Sequence, residues 1–89
     1  MRLIEGFVVR NVTGKCVALA IGKEARKTGA MVSLNETGRE IFELLSHENL
    51  TEEQIADRMA ESYDAPYETL LADVKAFTAK LRERGMLKE

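Results

Sequence analysis

The stretch Val32-Ser33-Leu34-Asn35-Glu36-Thr37-Gly38 decides the fold, because within it a strand pattern hands over to a helix pattern. Ala30, Met31, Val32, Ser33 and Leu34 read as a strand with Val32 and Leu34 on the buried face and Met31 and Ser33 opposite. Residues 36–46 read as a helix that buries Gly38, Ile41, Phe42 and Leu45 along one stripe. Asn35 sits at the junction, where its side chain can accept the backbone N–H of Thr37 or Gly38 and cap the helix. A helix that begins so soon after a strand must fold back onto one face of the sheet. The strand's other edge is then free and borders a helix, an arrangement on which another extended chain can dock by strand addition. Gly38 is unfavourable in a first helical turn by roughly 1 kcal/mol relative to alanine. Its presence implies a neighbour too close to admit a Cβ.

Upstream, Phe7-Val8-Val9-Arg10-Asn11-Val12 and Cys16-Val17-Ala18-Leu19-Ala20-Ile21 read as two strands, and Thr13-Gly14 between them as a tight turn. In the second of these, Val17, Leu19 and Ile21 form a bulky face expected to meet the helices. Cys16, Ala18 and Ala20 form the small face, expected to be thinly covered. Residues 22–29 are a glycine-bracketed polar connection with three cations, Lys23, Arg26 and Lys27, against Glu24. They are expected to be a mobile, solvated loop.

Downstream, Thr51-Glu52-Glu53-Gln54 is a capping box that opens a second helix burying Ile55, Ala56, Met59 and Ala60. That helix ends near Tyr63. Asp64 is placed to cap a third and longest helix over residues 66–84, where Pro66 is tolerated in the first turn. Tyr67, Leu70, Leu71, Val74, Phe77, Thr78 and Leu81 recur at helical spacing, and Gly85 terminates the run. Met86 and Leu87 turn back over the core. The expected fold class is α+β: a three-stranded antiparallel sheet followed by three helices, winged helix-turn-helix-like.

With 89 residues the chain is expected to form one domain over residues 1–89. Its apolar fraction of 45% and charged fraction of 31% are those of an ordinary globular protein, with no run long enough to span a bilayer. No signal-peptide core follows Met1, and the single cysteine, Cys16, agrees with a reducing compartment, so a cytoplasmic location is expected. A net charge of -2 provides no overall field for nucleic acid or an anionic membrane, and neither is expected as a partner.

The residues needed for catalysis are also sparse. His47 is the only histidine and reads as a polar residue at a helix C-terminus. Cys16 has no CxxC partner and reads as a small apolar residue. The glycines are scattered and form no phosphate loop. The expectation is a non-enzymatic protein without metal or cofactor. Asp73, beside the apolar stripe of the third helix, is expected to pair with Arg10 or Arg26 in preference to a cation of a bound ligand. Exposed Met31 suits a contact surface, including pairing of two copies through the free strand edge. The alternative of a winged-helix DNA-binding regulator requires several basic or amide side chains on a reading helix. The second helix offers Gln54 and Arg58 among Glu52, Glu53, Asp57 and Glu61.

Leu34-Asn35-Glu36-Thr37-Gly38, Ile41-Phe42-Glu43-Leu44-Leu45, Thr51-Glu52-Glu53 with Ile55, Asp73-Val74 with Phe77 and Leu81, and Gly85-Met86-Leu87 together resemble the coenzyme PQQ synthesis protein D (PqqD) family. The resemblance runs from Phe7 to Leu87, with Phe42 where tryptophan is frequent. It implies a recognition element for ribosomally made, post-translationally modified peptides. Such an element binds the leader of a precursor peptide and presents it to a modifying enzyme, often a radical S-adenosylmethionine (SAM) maturase. By this resemblance the leader adds as a strand at Ala30, Met31, Val32, Ser33 and Leu34. The facing positions on the third helix are Leu70, Leu71, Val74, Lys75 and Thr78. Nothing in the sequence marks the quinone-cofactor pathway itself.

Overall fold

The computed structural model of the chain describes residues 1–29 and 31–89. In chain order it forms β1 (Arg2–Leu3), β2 (Phe7–Val12), β3 (Lys15–Ala20), the single-turn helix α1 (Lys23–Arg26), β4 (Met31–Leu34), α2 (Glu36–His47), α3 (Glu52–Ala60), α4 (Tyr67–Glu83) and β5 (Leu87–Lys88). β2, β3 and β4 make an antiparallel three-stranded sheet in that order, as the sequence leads one to expect. Three elements were not foreseen. β1 and β5 pair as a separate antiparallel ribbon, Leu3 opposite Leu87, and strands this short have no periodicity to read. The 22–29 connection holds α1, whose Ala25 is fully buried, so it is built into the fold and is not just a polar loop.

Local chemistry accounts for most element ends. Thr13 and Gly14 both have positive φ, 48° and 80°, the backbone of a hairpin turn whose twist matches its strands. Asn35 Oδ1 accepts the Gly38 N–H at 2.7 Å and so caps α2. Thr51 and Gln54 complete the capping box of α3. At the end of α4, Met86 N–H reaches Leu81 O and Gly85 N–H reaches Arg82 O, both at 3.0 Å, around Gly85 at φ 73°. This is a Schellman termination, and it swings the fully buried Met86 into the core. Asp64 does not cap α4: Pro66 occupies the cap position and makes no side-chain bond. Ala60, expected in the core, is exposed at the end of α3.

The facing of β3 is the reverse of that expected. Cys16 stands opposite Leu34 and Ala18 opposite Val32, and directly opposed residues share a face. The small face of β3 therefore looks into the core. Ala18 is fully buried, while Ile21 on the bulky side is 54% exposed. The volume in the gap comes from neighbouring elements. Phe7 of β2 meets the buried Phe42 of α2 edge-on, with ring centroids 6.1 Å apart. With these rings in place, the middle strand packs only if it presents small side chains.

Candidate functional site

β4 ends the sheet. Val32 and Leu34 are buried beneath it, Met31 is 62% exposed and Ser33 is exposed on its outer face. Its register pairs it with β3 on one side. Among the described residues no strand pairs with its other edge. Ala30, expected at the start of this strand, lies outside the described residues.

Two adjoining hollows border α4, one beside this end of the sheet and one beside the start of α2, and they share Asn35 and Phe77 in their walls. The larger, ≈ 580 Å³, is lined on the sheet side by Lys15, Cys16, Ser33 and Leu34 and on the helix side by Phe77 and Lys80. The smaller, ≈ 270 Å³, lies between the first turn of α2 at Thr37 and Gly38 and the α4 residues Asp73, Ala76 and Phe77. Phe77 is half-buried between them. Its ring explains Gly38: a Cβ on that glycine would come within 3.0 Å of Phe77 Cε1 and 2.9 Å of the capping Asn35 oxygen. The close neighbour expected from the sequence is this ring together with the cap.

Of the helix residues expected to face the edge, three have almost no exposure. Leu70, Val74 and Thr78 are buried in the core, and Thr78 Oγ1 donates to Glu52 Oε2 of α3 at 2.6 Å. Leu71 packs half-buried against the same core. Lys75 is exposed, but it stands two residues from Asp73, about 200° around the helix, on the opposite flank. The periodicity that identifies α4 marks its closed face. The residues that line the hollows, Asp73, Ala76, Phe77 and Lys80, occupy the neighbouring flank, and the sequence signal for them was indirect: a glycine where a helix disfavours one.

Asp73 does not pair with Arg10 or Arg26. Among the described residues the side chains of Asp73, Lys15 and Lys80 make no hydrogen bond or ion pair, and all three residues are exposed. By contrast, Arg58 of α3 donates two hydrogen bonds, at 2.8 and 2.7 Å, to the carboxylate of Glu48. This fork holds Glu48 below its ordinary carboxylate range and occupies the one arginine of α3.

A further hollow, ≈ 500 Å³, lies on the outer side of α2 between Glu36, Glu40, Glu43 and Tyr63. Burial first, and then the hydrogen bond to Glu40, push the Tyr63 phenol up. Among the described residues no three His, Cys, Asp or Glu side chains come together as a metal site would require. No described helix is long and apolar enough to cross a membrane.

An unpaired sheet edge is a place where an extended chain can add as a strand, and among the described residues β4 presents one. The chain belongs to the coenzyme PQQ synthesis protein D (PqqD) family, whose model matches residues 15–87. Two solved structures share the fold. One is TbiB1 in complex with the TbiA(β) leader peptide, 24% identical, with a TM-score of 0.73 over 99% of this chain and 95% of that one. The other is a lasso peptide synthetase B1 complexed with the leader peptide, 23% identical, with a TM-score of 0.69 over 99% of this chain and 96% of that one. No curated protein matches the sequence.

Proposed function

We propose that residues 1–89 act as one non-catalytic recognition unit that captures the leader of a ribosomally made precursor peptide by strand addition and presents it to a modifying enzyme. The observation that carries this reading is the edge of β4, unpaired among the described residues, beside the hollows that α4 borders. The leader would pair with the backbone of Met31, Val32, Ser33 and Leu34, and with Ala30 if the strand extends that far. It would set alternate side chains toward Phe77, with Asp73 and Lys80 to either side. On this reading the three-stranded sheet and the three longer helices are a winged helix-turn-helix-like scaffold used for peptide capture. The α4 contacts move from Leu70, Leu71, Val74, Lys75 and Thr78 to the flank formed by Asp73, Phe77 and Lys80.

Two considerations support the assignment. Both structural relatives above are complexes with a leader peptide. The energetics also suffice: each main-chain hydrogen bond adds about 0.5–1.5 kcal/mol net, and apolar side chains entering the trough add about 25 cal/mol per Å² removed from water. The modifying enzyme on this reading is a radical SAM maturase, and the setting is cytoplasmic natural-product biosynthesis, with PQQ production one member of the class. The pairing of Arg58 with Glu48 leaves the exposed face of α3 acidic, which favours a peptide over DNA as the partner.

Proline scanning of the edge tests the proposal. Successive residues of β4 direct their N–H groups to opposite sides, so Val32→Pro and Ser33→Pro, made separately, remove one donor toward β3 and one toward the free edge. Synthetic peptides from the short open reading frames beside the gene are the probes, with fluorescence anisotropy as readout. The variant that loses the outward donor keeps a native circular dichroism spectrum and loses peptide binding. If both variants bind as well as the parent chain, strand addition at β4 is refuted.

A further inference from the structure

Resting on the strand-addition reading, we infer that the trough selects peptides by the order of their charges: a cation against Asp73, an apolar side chain over Phe77, and a carboxylate against Lys15 and Lys80. The hollows are sorted by sign. The larger one carries both lysines and no acid in its wall, whereas Asp73 is the only charged residue in the wall of the smaller one. These charges are not spent on the fold, since among the described residues none of the three has a partner. Other surface charges do find partners. Arg39 pairs with Glu43, Arg58 with Glu48 and Arg82 with Glu89. The sorting is also local, because the chain as a whole is nearly neutral, with 13 basic and 15 acidic residues.

The spacing suits an extended chain. Asp73 and Lys80 stand seven residues apart on one helix, about 10 Å along its axis. In a strand, same-face residues recur about every 6.6 Å, so a peptide positions i, i+2 and i+4 over a span of about 13 Å. Lysine side chains are long and flexible enough to take up the difference. The recognised pattern is therefore one charge, any residue, an apolar residue, any residue, and the opposite charge, with the cation at the Asp73 end.

Selection from a displayed library of random twelve-residue peptides tests this, using the intact chain, Asp73→Lys, and Lys15→Glu combined with Lys80→Glu. Circular dichroism verifies that each protein is folded, and Asp73→Asn serves as a milder variant without a new charge. The parent chain should enrich the pattern above. Asp73→Lys should replace the selected cation by an acid, and the double variant should replace the selected acid by a cation. Synthetic peptides carrying the parent pattern should bind each reversed protein about five- to tenfold more weakly, as fits exposed ion pairs converted to like-charge contacts, and about twofold more weakly to Asp73→Asn. If one consensus emerges from all the proteins and its binding still depends on the β4 edge, charge sorting is refuted and strand addition stands. If no selected peptide is sensitive to Val32→Pro or Ser33→Pro, strand addition fails and this inference falls with it.

Discussion

Along α4, Leu70, Val74, Thr78 and Leu81 are buried and Thr78 is tied to Glu52 of α3, whereas Asp73, Ala76 and Lys80 on the same helix are exposed around hollows beside the sheet. One face of the helix is closed by the fold and the other is exposed. Phe77 lies on the boundary. A stripe of apolar residues identifies what holds a helix in place, and the residues left exposed lie on the flank next to it.

This comparison breaks most readily at the closed face. Leu81→Ala, at a fully buried position, should cost about 3 kcal/mol through lost burial and a cavity, read as a lower urea midpoint at unchanged slope. A loss below 1 kcal/mol would mean that the closed face is loosely packed. Gly38→Ala tests the boundary. Helix propensity alone predicts a gain of up to about 1 kcal/mol, but the new Cβ presses on the Phe77 ring and the Asn35 cap. The expected net result is a loss of about 1 kcal/mol together with weakened peptide binding, and a stabilised variant would show that the ring yields freely.

At the open face, Asp73→Asn and Lys80→Gln should each change stability by less than about 0.5 kcal/mol while altering peptide preference. A larger destabilisation would place these side chains in the fold's own interactions. The smallest effect belongs to the exposed fork between Arg58 and Glu48. Because Arg58 lowers the folded-state pKa of Glu48 below its ordinary value of 4.5, the pair's contribution is present above that value and disappears as pH falls through the lower folded one. Arg58→Ala should accordingly lower the melting temperature slightly at neutral pH and leave it unchanged at the acid end. Equal shifts at both ends would assign the effect to packing.

Much of the molecule was legible from local chemistry. The handover at Asn35, the Thr51–Gln54 capping box, the Thr13-Gly14 turn and the Gly85 termination each depend on residues within a few positions of one another, and each forms as the sequence leads one to expect. The alternation of β4 was equally clear, Val32 inward and Met31 outward. Gly38 announced a close neighbour without naming it. Other features depend on what lies across the fold. The facing of β3 was judged from its own side chains and reversed by Phe7 and Phe42. The helix half of the site was placed along the apolar stripe of α4, where Leu70, Val74 and Thr78 are buried.

The sequence by itself determined the turn between β2 and β3, the starts of α2 and α3 and the end of α4, because caps, turns and periodicity act over a single turn or hairpin. Only the tertiary structure decided which face of β3 is buried, that Leu3 meets Leu87, and that Phe77 and Lys80 border a hollow at the end of the sheet while Asp73 borders the adjoining one at the start of α2. The physical reason is that packing fills space between segments distant in the chain, so a side chain's neighbours are set by the volume and register of partners its own stretch of sequence does not contain.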